Sequence, residues 1–562
     1  MNITMNFDSS WQEGLLKKMD DDGPWSSWEL YKLAIEAENN LSINKFSGLV
    51  APTHLPNLTI FPHQLEVAKK VIEEMNGKAI LADEVGLGKT IEAGLILKEY
   101  MIRGLVKKAL ILVPASLVSQ WSIELNQKFY IPAVAQRKTY VWEQCDVVVA
   151  SIDTAKRNPH RDIVLKQNYD LIIIDEAHKL KNKKTKNYEF IQSLKKKFCL
   201  LLTATPVQNR LEEIFNLVSL LKPGHLGDEA SFDHDFRSNT RSPKNDEKLR
   251  ELVNKVMVRN RREDTGIEWT KRVVNTITIP LSKEEQELYD AVTALKQVSN
   301  NEEALIKNHF SLLTLQREVC SSREAAFLTL KNMAEKMEQT PELVEKVQFL
   351  FKKIEQVKTN SKAEKALELI QNINDKVIIF TEYRATQLYL QWFLNQHGIS
   401  SVPFRGGFKR GKKDWMKQLF KDRAQVLIAT EAGGEGINLQ FCHHIINYDL
   451  PWNPMRIEQR IGRIHRLGQE KDVHIYNFAT ENTVEQHILS LLYDKIRLFE
   501  RVIGELDDIL ARLDLNNIEE HISDILVNSR SDGEIKVKMN HLSELIKLSE
   551  GATQEDAAAG HS

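Results

Sequence analysis

Little in this chain points outward from a cell or into a lipid bilayer. Its four cysteines, Cys145, Cys199, Cys320 and Cys442, are too scattered for a disulfide framework or a paired metal-ligand spacing. Cys442 precedes His443 and His444, but adjacent imidazoles on a buried strand are expected on opposite faces, which argues against a shared metal. No apolar run approaches the ~18 residues of a membrane span; LIII at 171–174 and ALILV at 109–113 are strand-sized. The opening MNITMNFDSSWQEGLL has neither a basic start nor an apolar core, so no secretion signal is expected and a reducing cytoplasm fits. Neither sign of charge is in surplus, with 76 Lys and Arg against 78 Asp and Glu. A polyanionic partner would therefore have to be held by local basic patches. No repeat short enough for a solenoid is visible.

The chain contains too much apolar material for one core. At 562 residues, 42% of them hydrophobic, it is expected to fold as about three or four units. From Leu55 to about Pro223, the apolar runs KAILA (78–82), ALILVP (109–114), DVVVAS (146–151), LIIIDE (171–176) and CLLLTA (199–204) alternate with helical stretches. Continuous rather than alternating hydrophobicity marks parallel strands covered on both faces, which predicts a doubly wound α/β lobe. A second series predicts another: KVIIFTE (376–382), VPFRGG (402–407), QVLIATE (425–431), HHIINYDL (443–450) and VHIYNFA (473–479).

Residues between the two series read as mostly helical, with a capping box at Ser282 and Glu285 ahead of Leu288, Val292 and Leu295. Ile488, Leu492, Ile496, Phe499, Ile503, Leu506 and Leu510 keep a helical period after the second series, and the final GATQEDAAAGHS is expected to be disordered. The expected division is 1–54 as an extension, 55–223 and 361–490 as the two lobes, 224–360 as a helical insert and linker, and 491–562 as a brace helix and tail.

Three elements carry chemistry. Strand KAILA, a glycine-containing loop and a helix opening at Lys89 give the context of a phosphate loop. Gly86 and Gly88 let the backbone approach phosphate, Lys89 would meet the β- and γ-phosphates, and the Thr90 hydroxyl would ligate Mg²⁺. Asp83 stands where the generic pattern has glycine. Asp175 and Glu176 follow four apolar residues at a strand's C-terminal end, where open α/β sheets bind ligands. Asp175 would hold Mg²⁺ and Glu176 would polarise the attacking water. Arg463 and Arg466, three apart on one helical face, suit a transferring phosphoryl group.

These motifs resemble those of superfamily-two helicase-type ATPases of the Swi/Snf branch, nearest to the bacterial RapA/HepA-like group. The resemblance covers about residues 55–510. It rests on FPHQ (61–64), ADEVGLGKTIEAG (82–94), LVPASLVSQW (112–121), DEAHKLKN (175–182), LTATPVQN (202–209), IIFTEYRATQ (378–387), TEAGGEGINLQ (430–440), PWNP (451–454) and QRIGRIHRLGQ (459–469). It implies two tandem RecA-like lobes with helical protrusions and a C-terminal brace. It also makes Asp83 an ordinary residue of the loop, so that Asp83, Glu84, Val85, Gly86, Leu87, Gly88, Lys89 and Thr90 would all serve ATP. Gln64 would read the adenine edge, Gln459 would approach the γ-phosphate, and Arg463 and Arg466 would be fingers reaching across from the second lobe. His178, Thr203, Thr205, Gly434, Glu435 and Gly436 would link hydrolysis to nucleic acid. RapA itself carries N-terminal modules that dock RNA polymerase; with only about 55 residues ahead of the core, polymerase docking is not expected.

A motor needs a track. Candidate contacts are Lys179, Lys181, Lys183, Lys184 and Lys186; Lys409, Arg410, Lys412 and Lys413; and Arg259, Arg261 and Arg262. Such contacts would grip phosphates without reading sequence. The expected activity is ATP-driven translocation on duplex DNA. The alternatives are a DNA or RNA helicase that separates strands, or the ATPase subunit of a transcription or genome-defence complex.

Overall fold

The computed structural model describes residues 10–21, 23, 27–41, 48–203, 211–236, 245–298, 309–336, 341–408, 410–430, 437–451, 454–490 and scattered positions between 525 and 541. Residues 1–48 form one compact unit and 49–562 another. The first holds helices Ser10–Asp20 and Trp28–Leu41.

Two fully parallel sheets organise the larger unit. Their strands in chain order are β1 Lys78–Leu81, β2 Ala109–Val113, β3 Ala133–Ala135, β4 Val147–Ser151, β5 Tyr169–Asp175, β6 Lys196–Leu202, β7 Met257–Val258, β8 Arg272–Ile279, β9 Val377–Thr381, β10 Ser401–Phe404, β11 Val426–Thr430, β12 His444–Asn447 and β13 Val473–Thr480. The first sheet runs β3-β4-β2-β5-β6-β1-β7 and the second β10-β11-β9-β12-β13-β8. Every residue of β2, β4, β9 and β11 is buried. Helices cover both faces of these strands, which is why their sequences run apolar without alternation. The two α/β lobes expected from the sequence are present.

The described residues of the span 224–360 are largely helical, but they also hold two strands. Met257–Val258 pairs with β1 at one edge of the first sheet. Arg272–Ile279 pairs with β13 along its whole length at the edge of the second. The chain therefore passes from one sheet to the other between residues 258 and 272. Two residues are too few for any periodic signal, and β8 is mostly half-buried, so neither has the continuous apolar run of a central strand. Beyond β8 the expected cap is made: Ser282 N–H donates to Glu285 at 2.8 Å, and Glu285 N–H to the Ser282 hydroxyl at 3.2 Å. It opens a helical cluster cored by Leu288, Val292, Leu315, Leu330, Leu350 and Ile354. Arg317, paired with Glu382 at 2.6 Å, fastens that cluster to the second lobe.

Parallel strands put all their C-terminal ends on one edge. The loop after β1, the acids ending β5 and Thr203 after β6 therefore share that edge, because the three strands are neighbours.

Candidate active site

Gly86 and Gly88 take φ of +97° and +99°, a region where any side chain is strained. A Cβ at Gly88 would also lie 2.5 Å from Gln64 Nε2, because the helix Pro62–Glu73 closes directly onto the loop. Gln64 donates to the Leu87 carbonyl at 2.9 Å, and its side-chain oxygen accepts from Phe61 N–H at 3.1 Å. The helix Lys89–Ile102 starts at Gly88. Its first amides lack helical partners and suit an anion. The Lys89 ammonium donates to the carbonyls of Asp83 and, at 3.3 Å, Glu84.

At the end of β5, Trp121 donates its indole N–H to Asp175 Oδ2 at 3.0 Å. Burial, then the neighbouring Glu176, pushes the Asp175 carboxyl up to about 6, against the pull of the Trp121 hydrogen bond. Burial would raise Glu176 as well. His178, 3.2 Å away, together with Arg463 and Lys89, instead holds it down at about 2. Glu176 also sits at φ +54°, a conformation that costs a non-glycine residue on the order of 1 kcal/mol or more and is kept only where its surroundings enforce it.

One cavity of about 300 Å³ gathers both lobes. Gln64, Val85, Gly86, Gly88, Lys89, Thr90, Asp175, Glu176 and Thr203 line it from the first, and Gln440, Gln459, Arg463, Arg466 and Leu467 from the second. Arg466 donates to the Gly462 carbonyl at 2.7 Å. Burial, then Arg463, lowers its guanidinium to about 10, so it remains a cation at neutral pH. The lobes touch beside the cavity: Leu467 N–H donates to the Gly86 carbonyl at 3.2 Å, and Ser119 donates to Asp414 at 2.8 Å.

Asp83, Glu84 and Leu87, expected among the nucleotide contacts, are not on this wall. All three are buried. Asp83 accepts from the backbone and side-chain amides of Asn260, both at 2.9 Å, and so ties the loop to the segment after β7. Thr205, Gly434, Glu435 and Gly436 lie outside the described residues, as do Lys409 and most of the brace. Trp121 also lines the cavity and is the residue there least visible in the sequence: it closes the LVPASLVSQW run, but nothing in that run says its indole ends on Asp175.

Arg463 and Arg466, expected on one helical face, do not lie on a helix: the helix Pro454–Ile461 ends before them and both stand in the chain that follows. Other expectations also need correction. Lys181 is buried against Glu213 at 3.0 Å rather than facing a track. Arg262 is also buried. His443 and His444 do not point apart: their rings are 4.3 Å between centroids, and His443 lies 3.6 Å from Asp375. His443 precedes β12 and escapes the strand's alternation. Lys179, Lys184, Lys186, Arg259 and Lys412 are exposed.

The SNF2-related domain family matches residues 63–325, and the helicase conserved C-terminal domain matches 361–468. The chain is 65% identical over 548 residues to the uncharacterized ATP-dependent helicase YqhH of Bacillus subtilis, covering 97% of this chain and 98% of that one. It is 28% identical over 489 residues to the RNA polymerase-associated protein RapA of Yersinia enterocolitica, covering 79% of this chain and half of RapA's length. The SWI2/SNF2 ATPase core of Sulfolobus solfataricus in complex with dsDNA aligns over 82% of this chain and 96% of its own, at 19% identity and a TM-score of 0.38. That likeness is too slight to bear on how the lobes are arranged.

Proposed function

Because this chain belongs to the SNF2-related, helicase-type, nucleic-acid-dependent ATPases, we propose that its ATP hydrolysis drives translocation along duplex DNA without obligatory strand separation. The observation that carries the reading is the shared wall: Lys89, Asp175 and Glu176 face Arg463 and Arg466 across one cavity between the lobes. A triphosphate bound there would be held by both, and its hydrolysis would loosen the grip of one on the other.

The hard oxygens of Thr90 and Asp175, at the end of a buried strand, suit Mg²⁺. When bound, that ion neutralises charge on the β- and γ-phosphates. Glu176, held ionised by His178, orients and polarises the attacking water. Lys89 binds phosphate, and Arg463 and Arg466 stabilise charge as it develops, with Gln459 beside them. Thr203, with Thr205 and Gly434–Gly436, would relay the change to the nucleic-acid face. Exposed Lys179, Lys184, Lys186 and Lys412 would grip phosphates of the track, so binding weakens with salt and is indifferent to sequence.

The test is ATPase stimulation by duplex DNA, single-stranded DNA and RNA, alongside Lys89→Ala. Duplex DNA should stimulate most, and Lys89→Ala should hydrolyse nothing. Stimulation by single strands or RNA alone would favour the helicase reading. Hydrolysis surviving in Lys89→Ala would remove the site assignment. RapA's polymerase association gives a second reading, an ATPase bound to a transcription complex, which purification with native partners would reveal.

A further inference from the structure

We infer that Arg262 is a positioning residue at the hinge. From the linker between β7 and β8 it ties the phosphate loop to the turn carrying both fingers, and so sets where Arg463 and Arg466 stand relative to Lys89. The inference rests on the cavity being the ATP site.

Arg262 lies where the chain has left one sheet and not yet joined the other, and it bonds to both lobes. Toward the phosphate loop, its backbone N–H donates to Glu84 Oε2 at 3.0 Å, its Nε pairs with Glu84 Oε1 at 2.9 Å, and its Nη2 donates to the Val85 carbonyl at 2.7 Å. Toward the second lobe, Nη1 meets His465 Nδ1 at 2.8 Å. Its guanidinium stacks over Trp269 at 4.3 Å. His465 sits in the chain between the two finger arginines.

The protonation of His465 follows from its partners. Its Nε2 is 2.9 Å from the Thr270 carbonyl, which can only accept, so that nitrogen carries the hydrogen. Nδ1 is then a bare acceptor, and it takes Arg262 Nη1 together with Arg272 Nε at 3.0 Å. Arg272 is itself held by Glu458 at 2.9 Å. One planar, permanently charged fork thus connects loop, hinge and finger turn. An ammonium could not reach these acceptors at once. Burying a guanidinium is costly unless its partners compensate. Here the compensating groups belong to the two segments whose relative placement the chemistry needs. Misplacing reacting groups by about 1 Å can cost on the order of 100-fold in rate.

The test uses the full chain and steady-state ATP hydrolysis with the most stimulating polynucleotide, plus equilibrium binding of a fluorescent ATP analogue. Arg262→Met should lower kcat by at least about tenfold while KM and analogue affinity move less than about threefold. Arg262→Lys should not rescue it. His465→Gln, which keeps an acceptor, should stay within about threefold of wild type, whereas His465→Leu should match Arg262→Met. The double variant Arg262→Met/His465→Leu should be no worse than either single change, since both cut one link. The proposal fails if Arg262→Met keeps kcat within about twofold, if its loss lies wholly in KM, or if the two losses multiply. Should Arg262→Met not fold, the contrast between His465→Gln and His465→Leu decides alone, with equal activities overturning the link. Lys89→Ala, run in parallel, reads the ATP site itself and keeps the two failures apart.

Discussion

Trp121 is a fully buried aromatic whose polar edge touches the chemistry. Its N–H stabilises the ionised form of Asp175. Trp121→Phe removes that donor, so the Asp175 carboxyl should rise above about 6. The reading of the site needs a carboxylate there. The acid limb of kcat/KM against pH should therefore move to higher pH, by a few tenths of a unit or more. The ionisation of ATP is common to both proteins, so the difference between their profiles belongs to the enzyme. An unmoved limb would mean that Asp175 does not limit the free enzyme. At this scale the sequence was uneven. The place of Lys89, at the head of a helix behind a glycine loop, was legible because it lies in one short contiguous segment. Lys181 and Arg262 were misread because a cation's partner, here Glu213 or Glu84, lies tens or hundreds of residues away.

Among elements, helices Lys89–Ile102 and Val118–Phe129 pack directly against each other. Gly94 makes the approach possible, since a Cβ there would stand 2.5 Å from the buried Phe129 ring. Two effects compete in Gly94→Ala. Helix propensity favours alanine by about 1 kcal/mol. Overpacking a filled contact costs about 1–3 kcal/mol. The ring has no exposed side to move into, so overpacking should win, and the thermal midpoint should fall. A raised midpoint would show that the helices can part without cost. Central strands were readable from composition because burial on both faces demands unbroken apolar runs. Edge strands β3, β7 and β8 were not: they are short or half-wet, and only a neighbour's hydrogen bonds define them.

For the whole molecule, the decisive contact is between lobes. A Cβ at Gly462 would fall 2.4 Å from Val85 Cγ1, so the finger turn lies hard against the phosphate loop. Gly462→Val should wedge the lobes apart. Binding of an ATP analogue should survive, because Lys89 and Thr90 belong to the first lobe. Stimulated hydrolysis should fall more than about tenfold, since a finger contributes only when aligned. Small-angle scattering should show a larger radius of gyration. Wild-type hydrolysis in that variant would mean that the lobes need not meet as they do here.

The amino-acid order alone determined the local pieces: a loop that curves on glycines, two acids at a strand's end, two arginines three residues apart, and two sets of sheet-forming runs. Each is set by interactions within a few residues, and so is visible in a short window. Only the tertiary structure decided that Lys89 and Arg463 line one cavity and that Arg262 is a buried bridge rather than a surface cation. Those facts depend on contacts closed over hundreds of residues, whose partners no local pattern specifies.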